Sequence, residues 1–258
     1  IDISVNDLAG NSTINFTTIS GDTVRVDKLL PDISSVVLSW GGYLSIAEAD
    51  VSGTVTVTMG TTDDSGNTVT LGLNGKTYTG NLSGATVDIQ IPVVDLQALT
   101  NSAAGKTYDM SVNITDDAGN ASKEFIKQFV VDKTKPEVVS FTMSDIQLER
   151  GETSTVTIVF TEPVDNFSSD DDITVVNGEL ETMTSSDGGT TWTGDYTPFN
   201  AVVDTTNVLT LADTYTDIAG NPSVTNTSNT TANFEIDTKF AGNIDIPLIF
   251  DMSGNATV

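Results

Sequence analysis

Apolar and polar residues alternate with a period of two through most of the chain, the repeat of a strand with one face buried. Gly53–Met59 is the clearest case, with Val55, Val57 and Met59 on one face and threonines on the other. Strands are also predicted over 1–6 and 12–19 around the turn Asp7-Leu8-Ala9-Gly10-Asn11, and over 33–40, 68–73, 76–80, 87–93 and 123–131. The pair 68–73 and 76–80 flanks Asn74-Gly75, a strong hairpin signal because both residues tolerate positive φ. Tyr108, Met110, Val112 and Ile114 alternate into a core, and 94–100 reads as a single helical turn or a loop. Further on, strands are predicted over 137–146, 153–160, 173–177, 181–184, 191–197, 208–215 and 232–236. Short strands with a turn signal about every 8–12 residues predict an all-β fold of sandwiches, with an open barrel as the alternative.

The pattern repeats. The boundary Val131-Asp132-Lys133-Thr134-Lys135-Pro136 has a counterpart in Val26-Asp27-Lys28-Leu29-Leu30-Pro31, and its first half returns as Ile236-Asp237-Thr238. Asp27, Asp132 and Asp237 are spaced 105 residues apart, which marks a tandem array of modules large enough to bury their own cores. Residues 28–132 and 133–237 are two such modules. Residues 1–27 read as the C-terminal hairpin of a preceding module, since Asp7 stands 20 residues before Asp27 as Asp217 does before Asp237. Residues 238–258 read as the truncated start of a further one, although Ala241 stands where the other boundaries have proline. The chain, which opens on Ile1, is expected to be a fragment of something longer.

Charge narrows the chemistry. In 258 residues, 36 acidic side chains face 10 basic ones, a formal net charge of -26 that argues against nucleic acid and anionic membranes as partners. Such an excess repels itself unless salt or bound cations neutralise it. The absence of cysteine and histidine excludes disulfide staples, thiol catalysis, a Ser-His-Asp triad and the usual zinc sites. Carboxylates and amides remain, and oxygen ligands suit calcium. No stretch has the apolar length of a transmembrane helix.

A topological argument says where the acidic residues meet. In a sandwich the second strand returns to the pole where the module began, and the turn that follows lies there. The last strand and its connection, about twelve residues after the Asp-x-Ala-Gly-Asn turn, can span up to roughly 40 Å and so carry that turn back beside the preceding boundary. Asp63, Asp64, Asp116 and Asn120 are thereby expected near Asp27, and Glu162, Asp217 and Asn221 near Asp132, with Asp237 as the third boundary aspartate. Converging oxygen donors meet the needs of calcium, which takes six to eight. The plainer account is that Asp-x-x-Gly-Asn is simply a good turn, its aspartate accepting local backbone hydrogen bonds. An acidic residue before proline such as Glu162 is also compatible with plain solvation. The run Asp170-Asp171-Asp172 is expected to be an exposed loop, and Trp40, Tyr108 and Trp192 to serve packing rather than ligand binding.

These motifs together resemble bacterial immunoglobulin-like repeats, the extender regions of giant secreted adhesins of the RTX type and of biofilm-associated surface proteins. The resemblance is carried by the Asp-x-Ala-Gly-Asn turns, the Val-Asp-Lys-x-x-Pro boundary, Phe160-Thr161-Glu162-Pro163-Val164, Asp172-Ile173-Thr174-Val175-Val176-Asn177-Gly178 and Ser186-Asp187-Gly188-Gly189-Thr190-Thr191-Trp192. In the first module Ile46-Ala47-Glu48-Ala49-Asp50 and Leu73-Asn74-Gly75-Lys76-Thr77-Tyr78 point the same way. The resemblance covers residues 1–237 and implies secretion to a bacterial surface, tandem immunoglobulin-like sandwiches and calcium at their junctions. The expected function is a structural extender without enzymatic activity, a monomeric rod whose partners are the neighbouring modules of the same chain. Two rivals are a module that binds glycan or a host protein directly, and a self-assembling surface-layer or filament subunit.

Overall fold

The computed structural model describes residues 3–6, 12–16, 27–60, 67–101, 105–224, 227–240, 249–250 and 256–257. Among them the chain is all-β, with three helices of four or five residues each. Its contacts divide it into two compact units, one of Ile1–Val37, Val55–Ile89 and Met110–Lys127, the other of Leu38–Thr54, Gln90–Asp109 and Gln128–Val258.

In the first unit the Asn74-Gly75 hairpin forms as its sequence dictates, with Asn74 at φ 49° and Gly75 at φ 75°. It joins Thr68–Leu73 to Lys76–Asn81 in unbroken antiparallel register. Thr68–Leu73 pairs on its other side with Lys106–Thr115, bringing Leu71 opposite Val112 and Leu73 opposite Met110. Val55, Val57, Val69, Leu71, Met110, Val112 and Ile114 are buried, so the period-two pattern sorts residues between core and solvent as it should. Each fully buried side chain of this kind stabilises the fold by about 1.5–3 kcal/mol. The hairpin predicted at the N-terminus is present as Ile3–Asn6 paired with Ser12–Phe16.

In the second unit one sheet orders Val138–Met143, Ser154–Phe160, Thr191–Pro198 and Gly178–Leu180, with Thr184–Ser185 also pairing to Thr191–Pro198. A second sheet orders Gln147–Glu149, Phe234–Asp237 and Val203–Asn207. Phe141, Val156, Ile158 and Tyr196 of the first meet Leu148, Phe234 and Ile236 of the second in one core. That is the construction of a sandwich. Tyr196 and Phe234 touch edge to face with ring centroids 5.4 Å apart.

Several elements differ from the periodic reading. The strand predicted over 137–146 stops at Met143, and Gln147–Glu149 crosses instead to the other sheet, parallel to Phe234–Asp237. Tyr43–Leu44 makes a similar two-residue parallel pair with Val130 and Val131. Pieces this short carry no detectable alternation. Ile46–Ala49 is a helix closed by a capping box between Ser45 and Glu48, and Val93–Gln97 is the helical turn expected beyond residue 93. Asp172 is buried rather than in an exposed loop, because Ser168 N–H donates to its Oδ2 at 2.8 Å and Thr214 Oγ1 donates to its Oδ1. Asp170 and Asp171 are exposed as expected. Trp40 is buried against Phe129, Trp192 packs on Phe167, and Tyr108 is only half buried.

One hairpin has a polar clasp. Asp187 Oδ1 accepts hydrogen bonds from Thr191 N–H at 2.9 Å, Thr190 N–H at 3.2 Å and Ser185 Oγ at 2.9 Å, while Gly189 N–H donates to Ser185 Oγ. Trp192 Nε1 and Val164 N–H both donate to Gly189 C=O, which ties the clasp to the segment just after Glu162. Gly189 sits at φ 105°, and a Cβ there would lie 2.8 Å from Val164 C=O. These donors, the Thr191 N–H foremost, hold the Asp187 carboxyl down to about 2 against an ordinary value of 3.8. A depressed carboxyl stabilises the fold above its unfolded pKa and loses that contribution as pH falls through the folded one. Asp187→Ala should therefore lower the melting temperature at neutral pH and flatten the acid loss of stability between pH 3.8 and about 2, read by circular dichroism.

Candidate metal centre

The site begins with a turn that occurs twice in nearly the same form among the described residues. In Asp217-Ile218-Ala219-Gly220-Asn221, Asn221 N–H donates to Asp217 Oδ1 at 2.8 Å and Asn221 Nδ2 donates to Asp217 Oδ2 at 2.7 Å. In Asp116-Asp117-Ala118-Gly119-Asn120 the same two bonds measure 2.7 and 2.8 Å. Both turns need left-handed backbone at the glycine, Gly119 at φ 87° and Gly220 at φ 86°. The hydrogen-bonding account of the motif is therefore correct in both places.

The second turn also gathers a cluster. Val164 lies opposite Asp217 in the short antiparallel pair of Val164–Asp165 with Thr216–Asp217. Glu162, two residues earlier, is thereby brought to the same end as Asp217. The boundary joins them because Val224 N–H donates to Pro136 C=O at 3.1 Å, Thr161 N–H to Glu137 C=O at 2.9 Å, and Asn221 Nδ2 to Asp132 C=O at 2.9 Å. One carboxylate oxygen from each of Asp132, Glu162 and Asp217 lies within 4.8 Å of the other two. All three residues are buried, at 9%, 5% and 2% exposure.

Bringing like charges into a poorly hydrated site is costly, and the cost appears as protonation. Burial, with the Asp132 and Asp217 charges adding to it, pushes Glu162 up to about 7. Burial also raises Asp132, with Asp217 contributing, against lowering hydrogen bonds from Thr134 and Asn101. Asp132 Oδ1 accepts from Thr134 N–H at 3.1 Å and both Asp217 oxygens accept from Asn221. Glu162 Oε1, in contrast, is buried with no hydrogen-bond partner. Three carboxylates, one with an unsatisfied oxygen, fit a hard divalent cation, and calcium with its flexible oxygen shell suits such a set better than magnesium with its strict octahedron. A cation there would supply the positive charge that the carboxylates lack.

The boundary segment is built to hold Asp132 in place. Lys133 Nζ donates to Gln97 C=O at 3.0 Å and to Leu99 C=O, capping the end of Val93–Gln97. Asp132 N–H donates to Leu44 C=O at 3.1 Å, extending the parallel pair. The amide of Asn221, whose oxygen is expected among the metal ligands, also has Ile46 N–H donating to its Oδ1 at 2.8 Å. Periodicity gives no hint of that contact, which spans 175 residues of sequence.

The other expected residues stand apart from this cluster. In the first unit Asn120 Nδ2 donates to Asp27 C=O at 3.4 Å, so Asp27, Asn120 and Asp116 do meet at one boundary. The Asn120 amide, foremost among its partners, lowers the Asp116 carboxyl. Asp63 and Asp64, expected there too, lie outside the described residues. Asp237 is exposed, with Lys239 N–H donating to its Oδ1 at 3.3 Å, and belongs to no carboxylate cluster among the described residues.

The all-β sandwich agrees with a match to a known domain family. A family model described as a bacterial Ig-like domain matches residues 132–236. None of the curated proteins compared matches the chain. Among solved structures the chain is similar to part of a 1.5-MDa bacterial ice-binding adhesin, with 20% identity and a TM-score of 0.49 over 83% of this chain and 67% of that one. A second is an adhesin of an Antarctic bacterium described as Ca2+-stabilized, with 24% identity and a TM-score of 0.41 over 92% of this chain and 56% of that one. A third is a bacterial immunoglobulin-like domain of the M. primoryensis ice-binding adhesin, with 25% identity and a TM-score of 0.28 over 40% of this chain and 96% of that one. The chain thus spans two thirds of the first solved chain and little more than half of the second. No helix among the described residues is long and apolar enough to cross a membrane.

Without metal, the raised Glu162 carboxyl gives a pH dependence of definite sign. The folded protein binds more protons than the unfolded one between pH 4.5 and about 7, so stability in chelator falls as pH rises through that window. Glu162→Gln should flatten the slope, leaving the part due to Asp132, and raise the chelated protein's stability at pH 7 by roughly 1–2 kcal/mol, or about 3–6 °C, after discounting for partial screening. Scanning calorimetry in EDTA at several pH values checks this.

Proposed function

We propose that this chain is a structural extender segment of a bacterial cell-surface adhesin, in which tandem immunoglobulin-like modules are stiffened by calcium at their boundaries. One observation carries the reading. The boundary aspartate that starts the family-matched domain is buried within reach of two further carboxylates, one with an unpartnered oxygen. Asp132, Glu162 and Asp217 would hold the ion, and Asn221 would orient Asp217 and the Asp132 main chain. The 105-residue repeat supports the tandem arrangement, and the net charge of -26 supports a need for cations. Asp27 with Asp116 and Asn120 would form the corresponding site at the preceding boundary, and Asp237 the start of the next. Export to the bacterial surface follows from the same reading, as does the chain's partnership with neighbouring modules.

A bound ion acts here through mechanics. A ligand that binds only the folded state stabilises it by RT ln(1 + [L]/Kd), about 2.7 kcal/mol at a hundredfold excess over Kd. By holding residues 132, 162 and 217 to one point, it also restricts the boundary segment to one conformation.

Calorimetry in calcium and in EDTA tests the proposal. Calcium should raise the melting temperature by several degrees, and Asp217→Asn, which keeps the shape but removes a charge, should abolish most of that rise. Small-angle scattering should show a narrower spread of conformations with calcium. Identical melting and identical scattering in the two buffers would count against it.

A further inference from the structure

The three boundary aspartates share one local bond. The N–H two residues further on donates to the Oδ1 of each, Leu29 to Asp27 at 2.9 Å, Thr134 to Asp132 at 3.1 Å and Lys239 to Asp237 at 3.3 Å. A single bond of this kind leaves the carboxylate plane free to turn, because the last torsion of an aspartate is broad. Among the described residues Asp132 is the boundary aspartate that belongs to a carboxylate cluster, and it has a second holder.

That holder is Asn101, in the loop after Val93–Gln97. Its amide meets donors on one side and acceptors on the other, which fixes its orientation. The oxygen accepts from Thr134 Oγ1 at 2.8 Å, Lys133 N–H at 3.1 Å and Thr134 N–H at 3.3 Å. The nitrogen is left for acceptors, and the Asp132 carboxylate is hydrogen-bonded to this side chain. The loop is itself anchored. Thr100 N–H donates to Tyr108 Oη at 3.0 Å, and Lys133 Nζ donates back to Gln97 C=O and Leu99 C=O. The chain passes Asp132 again at Gly105, where φ is 76° and a Cβ would lie 3.8 Å from Asp132 Oδ2.

Asp237 lacks such a holder. Thr238 Oγ1 donates to Phe199 C=O at 2.6 Å and accepts from Val202 N–H at 2.9 Å, so the loop there ties to the residue beside the aspartate. Among the described residues Lys239 N–H is the donor to the Asp237 carboxylate, which is exposed where Asp132 is buried.

We propose that Asn101 is a positioning residue of the metal centre, its amide aiming the Asp132 carboxylate at Glu162 and Asp217. Asn101 acts through Asp132 and not on the ion. A ligand already held in its binding orientation costs less to order, and removing such an outer partner typically weakens metal affinity about 10- to 100-fold. The ion's affinity is then set by the repeat before the boundary as well as by residues 133–237. The inference rests on the calcium reading and adds that the site spans two successive repeats of the sequence.

Calorimetric titration of residues 1–258 with calcium chloride tests this, with Asp217→Asn marking the site as the component of the isotherm that it removes. In Asn101→Ala that component should weaken about 10- to 100-fold, while the melting temperature in EDTA falls by no more than roughly 5 °C, as for one lost hydrogen bond. A component of unchanged affinity in Asn101→Ala would overturn the inference and leave the calcium reading standing. A larger fall of the melting temperature in EDTA would overturn it too, because Asn101 would then serve the fold rather than the ligand. Absence of any component that Asp217→Asn removes would overturn the calcium reading, and this inference with it.

Discussion

Repulsion among three buried carboxylates is the constraint on which the pole of the second sandwich depends. Asp132, Glu162 and Asp217 come from a boundary segment, the end of one strand and a turn 85 residues beyond the boundary. Their oxygens nonetheless lie within 4.8 Å of one another and away from water. A fold selected for stability alone would place apolar residues or single satisfied acids there. Here the protein retains the strain, and Glu162 is driven up to about 7 by burial and its neighbours. The site is least comfortable when empty of positive charge near neutral pH, the state that a divalent cation relieves.

The rest of the pole serves to keep those oxygens where they are. The Asp187 clasp fixes the Thr190–Thr191 hairpin and through Gly189 C=O the main chain at Val164. The Asp217 turn fixes its carboxylate with two bonds from Asn221, and the same residue reaches Asp132 C=O. Lys133 secures the boundary from the other side. Rigid supports of this kind make a cluster of acids able to select one ion geometry rather than splay apart.

Much of this was legible in the sequence, and the reasons are specific. Val55, Val57 and Met59, or Val156, Ile158 and Phe160, alternate because a half-buried strand has no other way to sort its faces. The equal spacing of Asp27, Asp132 and Asp237, the recurrence of Asp-x-Ala-Gly-Asn and the path the strands must take in a sandwich together point to Glu162, Asp217 and Asn221 near Asp132. Other features had no periodic signal. Tyr43–Leu44 and Gln147–Glu149 are too short to alternate, and their parallel partners lie some 90 residues away. Asp172 sits in a run of acids that reads as solvated, yet Thr214 and Ser168 give it a buried seat. The Asn221 amide is engaged by Ile46, Asp132 and Asp217, contacts that only the tertiary structure defines.

The account centres on a cation held by Asp132, Glu162 and Asp217. Crystals grown with calcium and measured at a wavelength where calcium scatters anomalously address that claim directly. An anomalous peak within coordination distance of all three carboxylates, about 2.3–2.6 Å from their oxygens, is the predicted result. Clear density for the three side chains with no peak between them, at millimolar calcium and neutral pH, would contradict it.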